Sequence, residues 1–165
     1  MKPFTKFGYR GTPACFILKG LIVKRNQNTI GKSVSFKGNG LHSGLPVTST
    51  MHPAPAGSGI IFRRTDLPGS PEVPAKSEFV TSTLRATTLE KGAAKVFTVE
   101  HLLSALYALH IDNCILETDS PEPPVADGGA LTFADMIQQA GISKQDEMID
   151  ILTLDTSISV YEENK

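Results

Sequence analysis

At 165 residues the chain is long enough for one domain with a real core and too short for two ordinary ones. Its composition, 40% hydrophobic and 20% charged with no Trp, is that of a soluble globular protein and not of a disordered chain. A net charge of −1 argues against a general nucleic-acid or polyanion binder. Lys and Arg nevertheless recur from Lys2 to Arg64, and no acidic residue precedes Asp66, which leaves open an anionic substrate or a solvated basic face.

Residues 1 to about 25 share no pattern with the rest of the chain and read as an appendage. The run from Cys15-Phe16-Ile17-Leu18 to Leu21-Ile22-Val23 is broken by Lys19 and Gly20 and falls short of the about 20 apolar residues that span a bilayer. No Ala-x-Ala-like cleavage site accompanies it, so neither a transmembrane segment nor a targeting peptide is expected. Cys15 and Cys114 form no CxxC pair or disulfide framework, which fits a reducing cytoplasm. Cys114, in Asn113-Cys114-Ile115-Leu116, reads as a small buried hydrophobe.

From Thr29 the texture changes. Ile30, Val34 and Phe36 set between polar residues predict a strand closed by Gly38-Asn39-Gly40, and Leu45 to Met51 predicts a second. Pro53 to Gly59 is turn-rich; Ile60 to Arg64 reads as a third strand ended by Leu67-Pro68-Gly69-Ser70-Pro71. Short strands are expected near Glu78 to Val80, Arg85 to Leu89 and Lys95 to Phe97. Val99, Leu102, Leu103 and Leu106 keep the spacing of one apolar face, predicting a helix over Val99 to Leu109 with Thr98 as N-cap. Ile111 to Glu117 reads as an apolar strand and Pro121-Glu122-Pro123-Pro124 as a stiff loop. A second helix is expected over Phe133 to Ala140, with Thr132 as N-cap and Gly141 just past its end. Strand-like alternation returns from Ile149 to Val160. The order implies an α+β fold, a mixed or antiparallel sheet with two helices packed on one face.

Glu100-His101, in the first turn of the first helix, is the main chemical candidate. A neutral imidazole ligates zinc, and a carboxylate beside it can accept a proton from an attacking water. The plain alternative is a helix-start acid and a surface histidine. Neither HExxH nor HxxEH is present, because the positions that need His hold Val99 and Phe97. A catalytic zinc takes three protein ligands and an open position, so the pair is half of a site. His42, in Gly38-Asn39-Gly40-Leu41-His42-Ser43-Gly44, is either a solvated turn histidine or part of a backbone that approaches a ligand closely. His52 and His110 read as structural, and Asp127-Gly128-Gly129 as turn chemistry. Arg63 and Arg64 alternate along a strand and so point to opposite faces.

Taken in order, several segments resemble the zinc-dependent UDP-3-O-acyl-N-acetylglucosamine deacetylases of lipid A biosynthesis. They are Gly40 to Gly44, Pro53-Ala54-Pro55, Ile61 to Leu67, Ser82 to Leu89, Thr98 to Leu106, Ile111-Asp112-Asn113, Pro121 to Gly128 and Gly141-Ile142. Each piece is weak alone; the ordered set is specific. Gly129, where the family usually has Ser, and His110, in place of a small residue, depart from the pattern. The resemblance implies the first of two similar α+β domains over residues 27–145, the opening strand of a second over 146–165, and an N-terminal extension of unknown role over 1–26. One explanation of that extension is an upstream start codon chosen in error, with Leu21 or Val23 encoding the alternative start.

By resemblance, His101 is a Zn2+ ligand, Glu100 is the general base, and His42, Leu84, Arg85 and Ala86 line the substrate site. The implied reaction is hydrolysis of the N-acetyl amide of UDP-3-O-acyl-N-acetylglucosamine in the cytoplasm, with release of acetate. The family takes its other zinc ligands from a His-x-x-x-Asp in the second domain. The chain is therefore expected to be a fragment, inactive alone; a further reading is a separately encoded second domain that reassembles with it as partner. The rival reading is a non-catalytic binding or regulatory module that reuses the domain.

Overall fold

The computed structural model describes residues 20–154. In chain order the elements are β1 (Gly20–Ile30), β2 (Val34–Asn39), β3 (Pro46–Pro53), β4 (Ile60–Arg64), β5 (Glu72–Pro74) and a 3-10 turn at Ser77–Phe79. Then come β6 (Val80–Ser82), β7 (Thr88–Lys91), β8 (Ala94–Phe97), α1 (Glu100–Ala108), β9 (Cys114–Thr118), α2 (Leu131–Ala140) and β10 (Ile142–Leu154). The expected α+β class is what forms. Asn26–Glu147 make one compact unit, and the described residues 20–25 and 148–154 belong to another.

The first unit is built on a five-stranded mixed sheet of order β2-β3-β9-β4-β5. Neighbours run antiparallel except β4 and β9, which are parallel. Alternation along each strand sorts the two faces. Phe36, Met51, Phe62, Val73, Cys114 and Leu116 point into one core, where Leu102, Ala105 and Leu106 of α1 meet Phe133, Ile137 and Ala140 of α2. Both helices thus cover the same sheet face. Phe36 meets Phe133 edge-on at 5.5 Å, and each large side chain removed from water contributes about 1.5–3 kcal/mol. The antiparallel sheet β6-β7-β8 adds Leu89, Ala94 and Val96 to that core.

The opposite face carries a polar chain across four strands. Ser33 Oγ lies 2.9 Å from His52 Nδ1, and His52 Nε2 lies 3.0 Å from Glu117. Arg63 then bridges Glu117 at 2.8 Å and Glu72 at 2.6 Å. Its neighbour Arg64 points inward, as alternation requires, and is held by Asp66 and the Lys95 carbonyl.

An amide cluster attaches the 26–30 and 142–147 stretches of the β1–β10 ribbon. Asn113, 1% exposed, donates through Nδ2 to Gln27 and Gln145 at 2.8 Å each and accepts from the Gly59 N–H. In the other unit the described residues are 20–25 and 148–154, the remaining stretches of the paired strands β1 and β10. There Lys24 and Asp150 pair at 3.6 Å on the surface.

Several sequence expectations need correcting. Ile30 and Val34 belong to different strands, because the chain turns at Gly31 against the end of α2. A side chain at Gly31 would meet the Ala140 carbonyl at 2.8 Å, and its N–H donates to Gly141 O. Strand β5 went unforeseen, being three residues long and ended by Pro74. Glu78 sits in the 3-10 turn, not a strand. β7 starts at Thr88, since Arg85 at φ 62 breaks the extended run. Neither Thr98 nor Thr132 caps a helix; the capping positions are Val99 and Ala130, without side-chain bonds. Gly141, at φ 78, does end α2, and β10 begins at once at Ile142 instead of Ile149. The remainder of that alternation, 155–160, and most of the apolar run at Cys15–Val23 lie outside the described residues.

The polar face makes this frame sensitive to pH. Burial works to raise the Glu117 pKa, but hydrogen bonds from Arg63 and His52 outweigh it and hold it below the usual 4.5. A depressed carboxylate contributes stability above its unfolded pKa and loses it as pH falls through the folded value. The melting temperature should therefore drop on acidification below about pH 5, and less steeply in Glu117→Gln; identical slopes would refute the role of this network. Burial also pushes the Cys114 thiol up to about 12. Peptide mapping should find Cys114 unalkylated in the folded chain at pH 8 and labelled in denaturant.

Candidate functional site

Three loops at strand ends carry the candidate residues. The turn after β2 closes on itself: Gly40 N–H donates to Leu45 O and Gly44 N–H to Gly40 O, both at 3.0 Å, with Gly44 at φ 65. His42 stands exposed at its tip. The loop between β6 and β7 carries Leu84, which is 83% exposed, followed by Arg85 and Ala86. The turn after β8 leads through Thr98 into α1 and so to Glu100 and His101.

Glu122 joins the first of these loops to the third. It has no exposed surface, and its backbone is flanked by Pro121, Pro123 and Pro124. Phe97 N–H donates to Pro121 O and Val125 N–H to Asn39 O, both at 2.9 Å, which anchors this segment beside both strand ends. The carboxylate accepts from His42 N–H at 3.0 and 3.2 Å, from Ser43 N–H at 2.8 Å and from the Thr98 hydroxyl at 2.8 Å. Burial works to raise its pKa, but these donors outweigh it and lower the value. Glu122 therefore stays ionised at neutral pH. Thr98, expected as a helix cap, instead turns its hydroxyl to Glu122 at φ 57.

Glu100 joins the second loop to the third, since the Thr87 N–H donates to its Oε1. For Glu100 too, burial works upward on the pKa, while its own backbone N–H and Thr87 pull it down to a net lowering. It is a carboxylate at neutral pH, the form that accepts a proton. His101 beside it is part-buried, and among the described residues nothing hydrogen-bonds its ring. The structure thus brings Glu100, His101, the 84–86 loop and the His42 loop into one region. It places His52 on the far polar face, and Asp127 in a turn where Gly129 N–H donates to its carboxylate at 3.2 Å.

Among the described residues no three His, Cys, Asp or Glu side chains gather to hold a metal ion. His101 suits one ligand position of a zinc centre; the described residues do not supply a complete donor set. Sequence reasoning passed over Glu122, whose one visible signal was an acid set among three prolines.

A family model for UDP-3-O-acyl N-acetylglycosamine deacetylase matches residues 27–165. The chain is 46% identical over 140 residues to the UDP-3-O-acyl-N-acetylglucosamine deacetylase of Myxococcus xanthus, covering 85% of this chain and 45% of that protein. It is 45% identical over 139 residues to the deacetylase of the same name in Hahella chejuensis, covering 84% and 46%. A bifunctional enzyme LpxC/FabZ of Chlorobaculum tepidum is 45% identical over 140 residues, covering 85% and 30%. The chain thus spans less than half the length of these curated relatives.

Gly40 tests the loop geometry. A Cβ there would collide with Ser43 Oγ and the Glu122 carboxylate, so Gly40→Ala should cost about 1–3 kcal/mol of stability by overpacking. Denaturant unfolding measures this, and an unchanged midpoint would refute the packed turn.

Proposed function

The chain belongs to the UDP-3-O-acyl N-acetylglycosamine deacetylase family, and from that premise we propose that it contributes one part of a zinc-dependent active site. The reaction is hydrolysis of the N-acetyl amide of UDP-3-O-acyl-N-acetylglucosamine, with release of acetate, in the lipid A biosynthesis of the cytoplasm. Residues 27–145 serve as the first of two domains, 146–165 open the second, and 1–26 form an extension. Among the described residues no helix is long and apolar enough to cross a membrane.

In this reading His101 is one zinc ligand, and the others come from residues beyond those described, in the same polypeptide or in a separately encoded partner. Zinc, when bound, polarises a carbonyl and lowers the pKa of water to about 7. Glu100 accepts the proton of the attacking water and passes it to the leaving amine. Its own backbone N–H and the Thr87 N–H favour the ionised form of that carboxylate, and the Thr87 N–H aims it. His42, Leu84, Arg85 and Ala86 border the bound substrate. The observation that carries this reading is the adjacent Glu100 and His101 on the first turn of α1, a rigid element onto which the Thr87 N–H draws the 84–86 loop.

The test joins the 165-residue chain to the remaining part of the Myxococcus xanthus relative and measures acetate release with zinc present. Turnover is expected. Glu100→Gln should lower kcat by about 100-fold or more with zinc content unchanged, and His101→Ala should lose zinc. A Glu100→Gln protein with kcat within about threefold of the parent, too small a loss for a general base, would overturn the assignment.

A further inference from the structure

We propose that Glu122 is a positioning residue that sets the His42 loop and the first turn of α1 in register with each other. This rests on the deacetylase reading of Glu100 and His101. No basic side chain hydrogen-bonds Glu122 among the described residues; its partners are the His42 and Ser43 N–H groups and the Thr98 and Ser43 hydroxyls. The two oxygens divide the work. Oε1 takes Thr98 Oγ1 together with His42 N–H, and Oε2 takes Ser43 N–H together with the longer bond from His42. One rigid group thus reads the position of both chain segments.

Thr98 makes the coupling consequential. A β-branched residue at positive φ is an outlier that persists only where its surroundings hold it, and Thr98 sits at φ 57. The helix start just after it has no side-chain cap. Without the carboxylate, Thr98 is free to return to the extended region and turn its hydroxyl to the helix N–H groups, as its residue type prefers. That change rotates the turn bearing Glu100 and His101. Gln at 122 cannot substitute, because whichever way its amide turns, its nitrogen would face the His42 or Ser43 N–H, which can only donate.

The experiment has two arms. Hydrogen exchange on the 165-residue chain should show the His42 and Ser43 amides at least tenfold faster in Glu122→Gln, with the Ile137 amide in α2 unchanged; equal rates would overturn the proposal. In the zinc-loaded fusion with the Myxococcus relative, Glu122→Gln should lower kcat more than tenfold at unchanged zinc content. Thr98→Val should lower it in the same direction and Thr98→Ser should keep it. Ile137→Val, a core change on α2, gives the stability control: an equal loss of kcat there would reduce the effect to destabilisation and overturn the positioning role. If Glu122→Gln does not fold, Thr98→Val carries both arms, since it removes a single bond. An inactive parent fusion would sink the deacetylase reading, and the exchange arm would still decide Glu122.

Discussion

A carboxylate with no exposed surface, and with no cationic side chain hydrogen-bonded to it among the described residues, organises the loops that carry the candidate site. Taking such an ion out of water costs several kcal/mol even after relaxation, whereas each hydrogen bond to a charged group returns about 1.5–3 kcal/mol. Glu122 has donors from the His42 loop and from Thr98, and the balance is favourable only when they are present together. The glycine turn, the proline segment and the entry to α1 are therefore one cooperative feature. Gly40 belongs to it because a side chain there would occupy the space of the carboxylate.

The sheet supplies the frame on which that feature can be built. Its covered face joins both helices in one core, which fixes the axis of α1 and hence the height of Glu100 and His101. Its other face is held by the Ser33–His52–Glu117–Arg63–Glu72 chain, whose charges stay partly hydrated and so avoid the penalty that Glu122 must overcome. The candidate residues sit on the loops at the strand ends, after β2, between β6 and β7, and after β8. This is the usual division between rigid scaffold and working loops.

The relation to the relatives rests on ordered sequence identity, and the donor count shows how much of a zinc site the described residues hold. One imidazole and one carboxylate occur together at the start of α1, while a catalytic zinc takes three protein ligands. The matched relatives are more than twice as long as the part this chain aligns with. What the described residues provide is a Glu100 carboxylate held by the Thr87 N–H, the His101 imidazole next to it, and the 84–86 and His42 loops in the same region. Within the same unit the 26–30 and 142–147 stretches are tied down by the Asn113, Gln27 and Gln145 amides.

Local pattern made much of this legible. The periodicity of Val99 to Leu109 marked α1 because a packed helix needs its apolar stripe whatever it packs against. Ile60 to Arg64 told the faces of Arg63 and Arg64 apart, because a strand's alternation is intrinsic. Ordered motifs marked Glu100 and His101. Other features depended on contacts distant in sequence. Thr98 has the residue type of a cap, and only the packing of a loop 24 residues on diverts its hydroxyl. Gly31 became a turn because α2 ends against it, and β5 formed because β4 offered it an edge. The sequence by itself determined the helices, most strands and the paired Glu100 and His101, since these depend on local spacing. Tertiary structure alone decided which loops meet at that pair, because a buried charge takes its donors from whichever segments the fold brings to it.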